Sequence, residues 1–412
     1  MKRKNRAWTR FAAMIGFGLV AAIAGTASAQ NKDPVKLGLI DIYSGGIAFV
    51  AETIRTGFQI ALDEANAAGG VGGRHFTLVS ADMGGSVEKA VTEARRMILE
   101  QGIKFVTVGI HSGAAVAVGN LGKEHKVLIV GGFATTKRLT GEAGHRYVAR
   151  ANLSTVEIGR VMAEHLRDRK DVKRIATIAP DYEYGQHFAA DFVAHLKVVR
   201  PDIKVVRQEW PKFRATDFAP HVTALQAQPI DMVVAGVFGG DLINFLKAGR
   251  DFGLFEGGTQ LFVHGLDLAK MGAMKDILPK DTIGTVWYPF YAIDSAKSKS
   301  FAKEVAKRMK TYATGSAPVG YVAGKMITLA IMRAGGADDV EKVIDALAGL
   351  EFEGPTGKVK VRGCDGMAIY GFYVGKVSRD PSLPDGIGVT DVKRYPIEPI
   401  ARSCEEIAKA RG

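Results

Sequence analysis

The feature that most constrains the fold of this chain is a regular alternation of aliphatic runs with amphipathic helical patterns. The aliphatic runs begin at Val35, His75, Lys104, Lys126, Arg174, Ile203, Asp231 and Gln260. Most of them are apolar without interruption, which is typical of strands that are covered on both faces. Between the runs, apolar residues recur at helical spacing, as at Ile54, Phe58, Leu62 and Ala65. The alternation predicts an α/β fold with parallel sheets that carry helices on both sides.

The aliphatic runs also repeat in the same order in the two halves of the chain. "VTVGIHSG" resembles "VVAGVFGG", "LIVGGFA" resembles "LFVHGLD", and "KLGLI" resembles "RIATI", at offsets of 127, 133 and 138 residues. A single sheet of this kind would be large for about 380 residues. The ordered matches therefore predict two doubly wound parallel-sheet lobes.

The first 29 residues have the composition of a secretory signal peptide. Five basic residues precede or border an apolar run from Phe11 to Ala24, which is too short to span a bilayer. The run ends near an Ala-Ser-Ala cleavage signal, so we expect cleavage after about Ala29. The prediction is a soluble protein outside the cytoplasmic membrane, and the alternative is an N-terminal membrane anchor.

Charge and cysteine content exclude some classes of ligand. Without the first 29 residues the chain has 50 basic and 43 acidic residues, an excess of +7 that forms no basic cluster. This pattern favours solubility and indicates no nucleic-acid partner. Cys364 and Cys404 are the two cysteines, and in an oxidising compartment such a pair is more typical of a disulfide than of a metal site, which needs four close ligands. We therefore expect a disulfide and no metal.

The residues that follow the predicted strands indicate a ligand-binding cleft. Ligands bind beyond the carboxyl ends of the strands in open parallel sheets. In the first half these ends carry glycines and hydroxyl residues such as Ser112 and Thr135, whose neighbouring backbone amides suit a carboxylate. In the second half they carry aromatic residues such as Tyr184 and Phe238, which suit an apolar body. Each residue could also be a helix cap or part of a core, but the repetition at successive strand ends favours a shared cleft.

Five segments in order give the chain a family resemblance. They are "VKLGLIDIYSG", "IALDEANAAGGVGGR", "GIKFVTVGIHSGAAVA", "VLIVGGFATTKRLT" and "RIATIAPDYEYGQ". The chain resembles periplasmic substrate-binding proteins of the branched-chain amino-acid type, the soluble receptors of ABC importers. The resemblance implies a type I periplasmic binding fold, in which two lobes joined by three crossover segments close on a ligand by hinge motion. It also implies a periplasmic location and a membrane permease as partner, and we expect a monomer without a cofactor.

The resemblance also implies boundaries for the lobes. By position, the crossovers fall near 150–152, 283–288 and 353–357. The first lobe would then combine residues 35–151 with about 289–353, and the second lobe about 152–286 with 357–412.

Carried onto this sequence, the positions that bind ligand in the family fall on both lobes. The carboxylate cradle falls on Ser112 with the following turn and on Ala134 and Thr135, and the aromatic contacts fall on Phe49, Tyr184 and Phe238. The strand ends add further candidates. The full set of expected ligand contacts is Ser44, Phe49, His111, Ser112, Gly113, Ala134, Thr135, Tyr184, Phe238, His264 and Asp267.

One departure from the family bears on the ligand. Amino-acid binders of this family place a Glu after the strand that matches "LFVHGLD", where it holds the ligand's ammonium group. This chain offers Gly265 or Leu266 there, with Asp267 one position further on. If Asp267 does not reach the cleft, a bound amino acid would bury an unpaired cation at a cost of several kcal/mol. The sequence therefore favours a small hydrophobic or aromatic carboxylate, with a branched-chain or other hydrophobic amino acid as the alternative.

The motifs of several enzyme classes are absent from the sequence. The chain has no G-x-x-x-x-G-K-[ST], no H-E-x-x-H and no G-x-S-x-G, and the segment around Ser112 reads "GIHSG" with His where a nucleophile would be needed. We therefore expect no catalytic residue and no enzyme. A hydrolase and a sensory ligand-binding domain are the remote alternatives.

Overall fold

Two sheets, each covered by helices on both faces, organise the protein. The computed structural model describes residues 33–412, which form one compact unit. The predicted signal peptide at residues 1–29 lies outside the described residues. Within residues 33–412, no helix combines the length and the apolar character that a membrane span requires.

The first sheet contains five parallel strands in the order β2-β1-β3-β4-β5. The strands are β1 (Val35–Asp41), β2 (Phe76–Asp82), β3 (Phe105–Val108), β4 (Leu128–Gly131) and β5 (Val148–Arg150). Four of them coincide with predicted aliphatic runs, and β5 does not.

The second sheet repeats this arrangement and then extends it. Its parallel part has the order β7-β6-β8-β9-β10, which corresponds strand for strand to the order of the first sheet. These strands are β6 (Arg174–Ile178), β7 (Lys204–Glu209), β8 (Met232–Ala235), β9 (Gln260–Val263) and β10 (Ile283–Val286). The shared order agrees with the duplication that the sequence predicts.

The C-terminal strands are antiparallel, which the sequence analysis did not predict. A small third sheet contains β11 (Glu351–Gly354), β12 (Gly357–Val361) and β13 (Ala368–Ile369). The strands β14 (Phe372–Ser378) and β15 (Gly388–Tyr395) then add to the edge of the second sheet, where β14 pairs antiparallel with β10. The second sheet is therefore mixed and not wholly parallel.

Twelve α-helices connect and cover the strands of residues 33–412. They are α1 (Ala48–Ala67), α2 (Val87–Arg95), α3 (Ser112–His125), α4 (Thr155–His165), α5 (Glu183–Val199), α6 (Ala219–Gln226), α7 (Gly239–Asp251), α8 (Leu268–Met274), α9 (Ala296–Met309), α10 (Ser316–Arg333), α11 (Val340–Leu347) and α12 (Cys404–Arg411). A π-helical turn, Arg96–Glu100, continues α2. Short 3-10 turns lie at Gly45–Ile47, Lys137–Leu139, Phe290–Ala292 and Pro384–Gly386.

The helices bury separate apolar clusters on the two faces of each sheet. On the first sheet, α1, α10 and α11 cover one face, and α2 and α3 cover the other. On the second sheet, α4 and α5 cover one face, and α6, α7 and α8 cover the other. We call the first sheet with its covering helices the first lobe, and the second sheet with its helices the second lobe. Burial on both faces explains why the strands are almost purely aliphatic.

Four helices lie on the lobe opposite to the strand that precedes them. Helix α4 follows β5 of the first sheet, but its buried residues Ile158 and Val161 pack in the cluster of the second sheet that contains Phe188. Helix α10 follows β10 of the second sheet, but its Val322 packs in the cluster of the first sheet that contains Phe58. Helices α9 and α11, which also follow β10, pack with α1 and α10 as well. The second lobe therefore receives α4, and the first lobe receives α9, α10 and α11.

The third crossover lies further along the chain than predicted. The predicted position was 353–357, yet Val359, Val361 and Ala368 of the small sheet pack in the core of the first lobe. A tight antiparallel turn at Gly354–Gly357 returns the chain onto the same lobe, and the chain enters the second sheet only at Phe372. The first lobe therefore includes most of residues 357–370, although Met367 and Ile369 pack in the core cluster of the second sheet.

The C-terminal helix is fastened to the small sheet by a disulfide. Cys364, between β12 and β13, is bonded to Cys404 at the start of α12, with the two Cα atoms 5.8 Å apart. Arg411 of α12 donates to the backbone oxygens of Cys364 (3.1 Å) and Thr140 (3.0 Å). The disulfide thus anchors the C-terminal end of the chain. Neither cysteine lies next to the strand ends that carry the candidate site.

Candidate functional site

A cavity of about 290 Å³ lies where the loops after the strands of both sheets meet. Its walls are predominantly aromatic. The rings that line it are Phe49, Phe133, Tyr182, Tyr184, Phe238, His264 and Trp287. The remaining polar side chains of the lining are Thr135, Asp267, Lys270 and Ser316. This combination of apolar walls with a few polar groups is typical of a small-molecule site.

The rings of the aromatic wall contact one another. The rings of Tyr184 and Phe238 meet edge to face with their centroids 5.6 Å apart, and the Tyr184 hydroxyl donates to the Gly236 carbonyl at 2.9 Å. Across the lobes, Phe133 packs against Trp287 with centroids 5.3 Å apart. Such a wall accepts an apolar body without large rearrangement.

Of the three residues expected to form the carboxylate cradle, one lines the cavity. Thr135 lies on its wall. Ser112 and Ala134 are fully buried and are not part of the lining. The Ser112 hydroxyl accepts the Thr136 backbone N–H at 3.2 Å. The first-lobe loop therefore presents fewer hydroxyls to a ligand than the resemblance implies.

Three further predicted contacts also lie outside the lining. Ser44 is exposed, and Gly113 lies in the first turn of α3. His111 caps that helix, since its Nδ1 accepts the Ala114 backbone N–H at 3.1 Å, and its ring packs on Tyr182 with centroids 5.4 Å apart. His111 thus supports a cavity residue from behind.

A buried arginine fixes the loop that carries Thr135. The guanidinium of Arg150 donates to the carbonyls of Ala134 (2.8 Å) and Thr136 (2.9 Å), on either side of Thr135, and to the carbonyl of Asn152 (2.9 Å). Arg150 is fully buried, and this burial lowers the pKa of its guanidinium to about 10. Because all these acceptors are backbone carbonyls, the charge holds the loop in place at the first crossover.

His264 offers one ring nitrogen to the cavity as a neutral group. Its Nδ1 lies 2.9 Å from the Thr285 hydroxyl, and its ring stacks on Phe188 with centroids 5.3 Å apart. Burial lowers the pKa of His264 to about 3, so the imidazole is uncharged at neutral pH. Nε2 is the nitrogen left for a polar group of a ligand.

Asp267, whose position was decisive for the ligand, lines the cavity. It caps α8, since its Oδ1 accepts the Ala269 backbone N–H at 3.1 Å. Burial raises the pKa of its carboxyl to about 6, and that N–H and the charge of Lys270 oppose the rise. The condition under which the sequence disfavoured an amino acid, an acid out of reach of the cleft, is therefore not met.

The predicted ligand contacts did not include five of the ring-bearing and polar residues that line the cavity, namely Phe133, Ser316, Trp287, Tyr182 and Lys270. Trp287 follows β10, a short strand that was not among the predicted runs. The predicted second crossover, near 283–288, covers the same segment. Tyr182 directly precedes α5, and Lys270 lies one turn after Asp267 on α8. Position after a strand end was a usable signal for Trp287 and Tyr182. Nothing in the sequence marked Lys270.

Within residues 33–412, no cluster of His, Cys, Asp or Glu side chains is arranged to hold a metal ion.

Comparison with known proteins gives a consistent family. Residues 34–382 match the family described as periplasmic binding protein. Leu/Ile/Val-binding protein homolog 3 of Brucella melitensis is 30% identical over 349 residues, which cover 79% of this chain and 86% of that protein.

Solved structures share the fold at lower sequence identity. A solute binding protein of an ABC transporter from Rhodopseudomonas palustris, in complex with 3,4-dihydroxy benzoic acid, has a TM-score of 0.80 at 20% identity, covering 89% of this chain and 98% of that chain. A leucine-, isoleucine-, valine-, threonine- and alanine-binding protein from Brucella ovis, in a closed conformation, has a TM-score of 0.79 at 21% identity, covering 90% and 97%. These two structures resemble the chain equally well and were solved or named with different ligands.

Proposed function

Since the chain belongs to the periplasmic binding protein family, we propose that it captures a small carboxylate with an aromatic or other hydrophobic body between its two lobes. As a solute-binding protein of an ABC transporter, it would deliver this ligand to a permease in the inner membrane. Binding would involve no chemical conversion. The protein would act in the periplasm, as a monomer, after removal of the signal peptide.

The observation that carries the proposal is the aromatic wall. Seven rings face one cavity of about 290 Å³, and they come from both lobes. Rings that pack edge to face leave flat surfaces on which a second ring can stack, and each such contact adds about 0.5 to 1.5 kcal/mol beyond area burial. A wall of this kind supports a planar apolar ligand.

The polar lining supports a charged head group on that ligand. Lys270 is the one cationic side chain among the lining residues, and Thr135 offers a hydroxyl on the other lobe. The likeness to the structure that holds 3,4-dihydroxy benzoic acid agrees with an aromatic acid but extends to the fold alone.

A hydrophobic amino acid is the second candidate, and Asp267 is the observation that favours it. Its carboxyl lines the cavity and could hold an ammonium group. The relative from Brucella melitensis is named for leucine, isoleucine and valine. Against this candidate, the Asp267 Oδ1 is already engaged as a helix cap.

Closure would couple ligand capture to delivery. The open form would bind the ligand on one lobe, and the second lobe would then bring Tyr184 and Phe238 over it. A ligand shifts this equilibrium only by its preference for the closed state. The measured ligand affinity would therefore depend on the free energy of lobe closure.

A thermal-shift and calorimetry series tests the ligand class. We expect benzoate and 3,4-dihydroxybenzoate to raise the melting temperature in a concentration-dependent way, because a ligand at 100 times its Kd adds about 2.7 kcal/mol to stability. We expect leucine to have no effect. Stabilisation by leucine without any by the aromatic acids would overturn the proposal.

Substitution of Asp267 separates the two candidates further. Asp267→Asn removes a negative charge from the cavity, so it should tighten benzoate binding at pH 7.5, whereas it would abolish binding of an amino acid that depends on this carboxylate. Asp276→Asn, which alters an exposed acid outside the cavity, is the matched control.

A further inference from the structure

Lys270 is a cavity residue that neither the sequence motifs nor the family resemblance indicated. We propose that Lys270 of the second lobe, and not the hydroxyl loop of the first lobe, anchors the carboxylate of the ligand. This inference rests on the proposed function. It fixes the direction in which the acid lies, with its charged end toward α8 and its apolar body toward the aromatic wall.

The position of Lys270 places its ammonium group at the cavity and between the lobes. The residue follows β9 on α8, and its Nζ lies 3.9 Å from the centroid of the Phe49 ring. Phe49 belongs to α1 of the first lobe and lines the same cavity. A cation over a ring face is attracted by the ring quadrupole, so the contact holds the ammonium group at the boundary of the two lobes.

The ammonium group is available to a ligand. Among the described residues, Lys270 forms no ion pair within 4.0 Å. By contrast, Lys137, Arg138 and Lys297 each pair with a carboxylate. The nearest acid in sequence on the cavity wall, Asp267, uses its Oδ1 to accept the Ala269 backbone N–H. An anion that enters the cavity therefore meets an ammonium group that forms no close ion pair, although its charge also acts on the nearby Asp267 carboxyl.

The first-lobe loop offers an anion much less. The Ser112 hydroxyl accepts the Thr136 N–H, and His111 occupies the Ala114 N–H at the start of α3. Of the hydroxyl residues in this loop region, Thr135 is the one that lines the cavity. A carboxylate buried against a neutral hydroxyl would lack a countercharge, which is costly in an apolar site.

A comparison of benzoate with benzamide, in wild type and in Lys270→Met, tests the inference. The two compounds have nearly the same shape but differ in charge. We expect the wild type to prefer benzoate by about 30-fold, the lower end of the effect of a desolvated charge pair. Methionine keeps the length and apolar stem of lysine, so the preference should fall to about threefold or less in this variant. Calorimetry supplies both Kd values.

Three variants control the experiment. Lys275→Met removes a charge at the end of the same helix but outside the cavity, and should leave the preference intact. Lys270→Arg keeps the charge and should retain the preference. Thr135→Val removes the first-lobe hydroxyl with little change of shape and should also retain it. The melting temperature of each unliganded variant shows that it is folded.

The outcomes distinguish the inference from the proposed function. Loss of the benzoate preference in Lys270→Met, with retention in Thr135→Val, supports the inference. Persistence of the preference in Lys270→Met, or its loss in Thr135→Val, overturns it while the proposed function stands. Failure of the wild type to bind benzoate or other aromatic acids overturns the proposed function itself.

Discussion

Asp41, at the end of β1, is the residue whose burial has the clearest consequence for stability. Its Oδ1 accepts the backbone N–H groups of Ile42 (2.9 Å) and Ile110 (3.0 Å), and its Oδ2 is buried without a hydrogen-bond partner. A Cβ atom at Gly109 would lie 1.9 Å from Oδ2, so the glycine leaves room for this carboxyl. Burial raises the pKa of Asp41 to about 7, since the two N–H bonds only partly offset the desolvation.

The raised pKa of Asp41 predicts a specific pH dependence of stability. The folded protein holds the proton of Asp41 more tightly than the unfolded chain, whose carboxyl has its ordinary pKa of 3.8. The tighter proton binding adds to the free energy of unfolding. This contribution is fully present below the unfolded pKa of 3.8 and is lost as the pH rises to about 7. Asp41→Asn keeps the acceptor for both N–H groups and cannot ionise. Relative to wild type, it should therefore gain stability on the order of 3 kcal/mol between pH 4 and pH 7.

Denaturant unfolding of wild type and Asp41→Asn at several pH values measures this difference. Asp276→Asn provides the control, because it removes an exposed carboxyl. Parallel pH profiles for wild type and Asp41→Asn would contradict the prediction.

At the same scale, the sequence indicates aromatic cavity residues better than hydroxyl residues. Tyr184 and Phe238 line the cavity as expected by position, because a large ring at a strand end is held by its packing. Ser112 does not, because its hydroxyl is taken by the Thr136 N–H, a bond that depends on the exact backbone of another loop. Competition of this kind for a hydroxyl cannot be predicted from the sequence alone.

Among the elements, those with a strong apolar pattern were predictable and those without one were not. The strands β1 to β4 and β6 to β9 coincide with aliphatic runs. Strand β5 has three residues, which is too short for a pattern to emerge. Strand β12 alternates buried with exposed residues, and β11 and β15 carry several exposed residues, as expected for antiparallel strands with one solvated face. Because these strands were missed, the third crossover was placed too early.

The contribution of the disulfide to the free energy of unfolding can be predicted from the loop that it closes. The bond between Cys364 and Cys404 closes a loop with a sequence separation of 40 residues. Such a closure lowers the entropy of the unfolded chain by an amount worth about 4 kcal/mol in the chain-entropy model. The double variant Cys364→Ser/Cys404→Ser should therefore melt several degrees below wild type. Ligand affinity should be unchanged, since neither cysteine lines the cavity.

Calorimetry of the double variant and of the reduced wild type measures this contribution. The two should show the same melting temperature, because both lack the crosslink. A large loss of ligand affinity in the double variant would show that the tail also shapes the cleft.

For the whole molecule, the lobes are joined by polar contacts as well as by the chain. Lys137 of the first lobe pairs with Asp191 of α5 at 2.6 Å, and Arg138 pairs with Glu183 at 3.0 Å. The Phe213 side chain of the second lobe packs against the core of the first. The structure thus represents an arrangement in which the lobes are in contact.

The shared burial predicts a single unfolding transition. Helices α4 and α10 each belong to one lobe by chain order and to the other by packing, so neither core can lose its structure alone. Differential scanning calorimetry should show one peak. Phe58→Ala in the first lobe and Phe188→Ala in the second, both at fully buried positions, should each lower the temperature of that same peak.

Two separate peaks, with each substitution moving only one of them, would contradict this prediction. Both substitutions remove a comparable buried ring, so each serves as the control for the other.

Because of the helix exchange, the molecule also resembles a domain-swapped dimer whose two protomers are joined in one polypeptide. The helices that follow each set of five parallel strands, α4 in one case and α9 to α11 in the other, pack on the other lobe, as in domain-swapped protomers. A fragment cut at a crossover would leave Phe58 or Phe188 without its covering helix and would seek a second copy to regain it. In the intact chain, each exchanged helix covers the core of the lobe on which it packs, so neither core depends on a second copy for its cover.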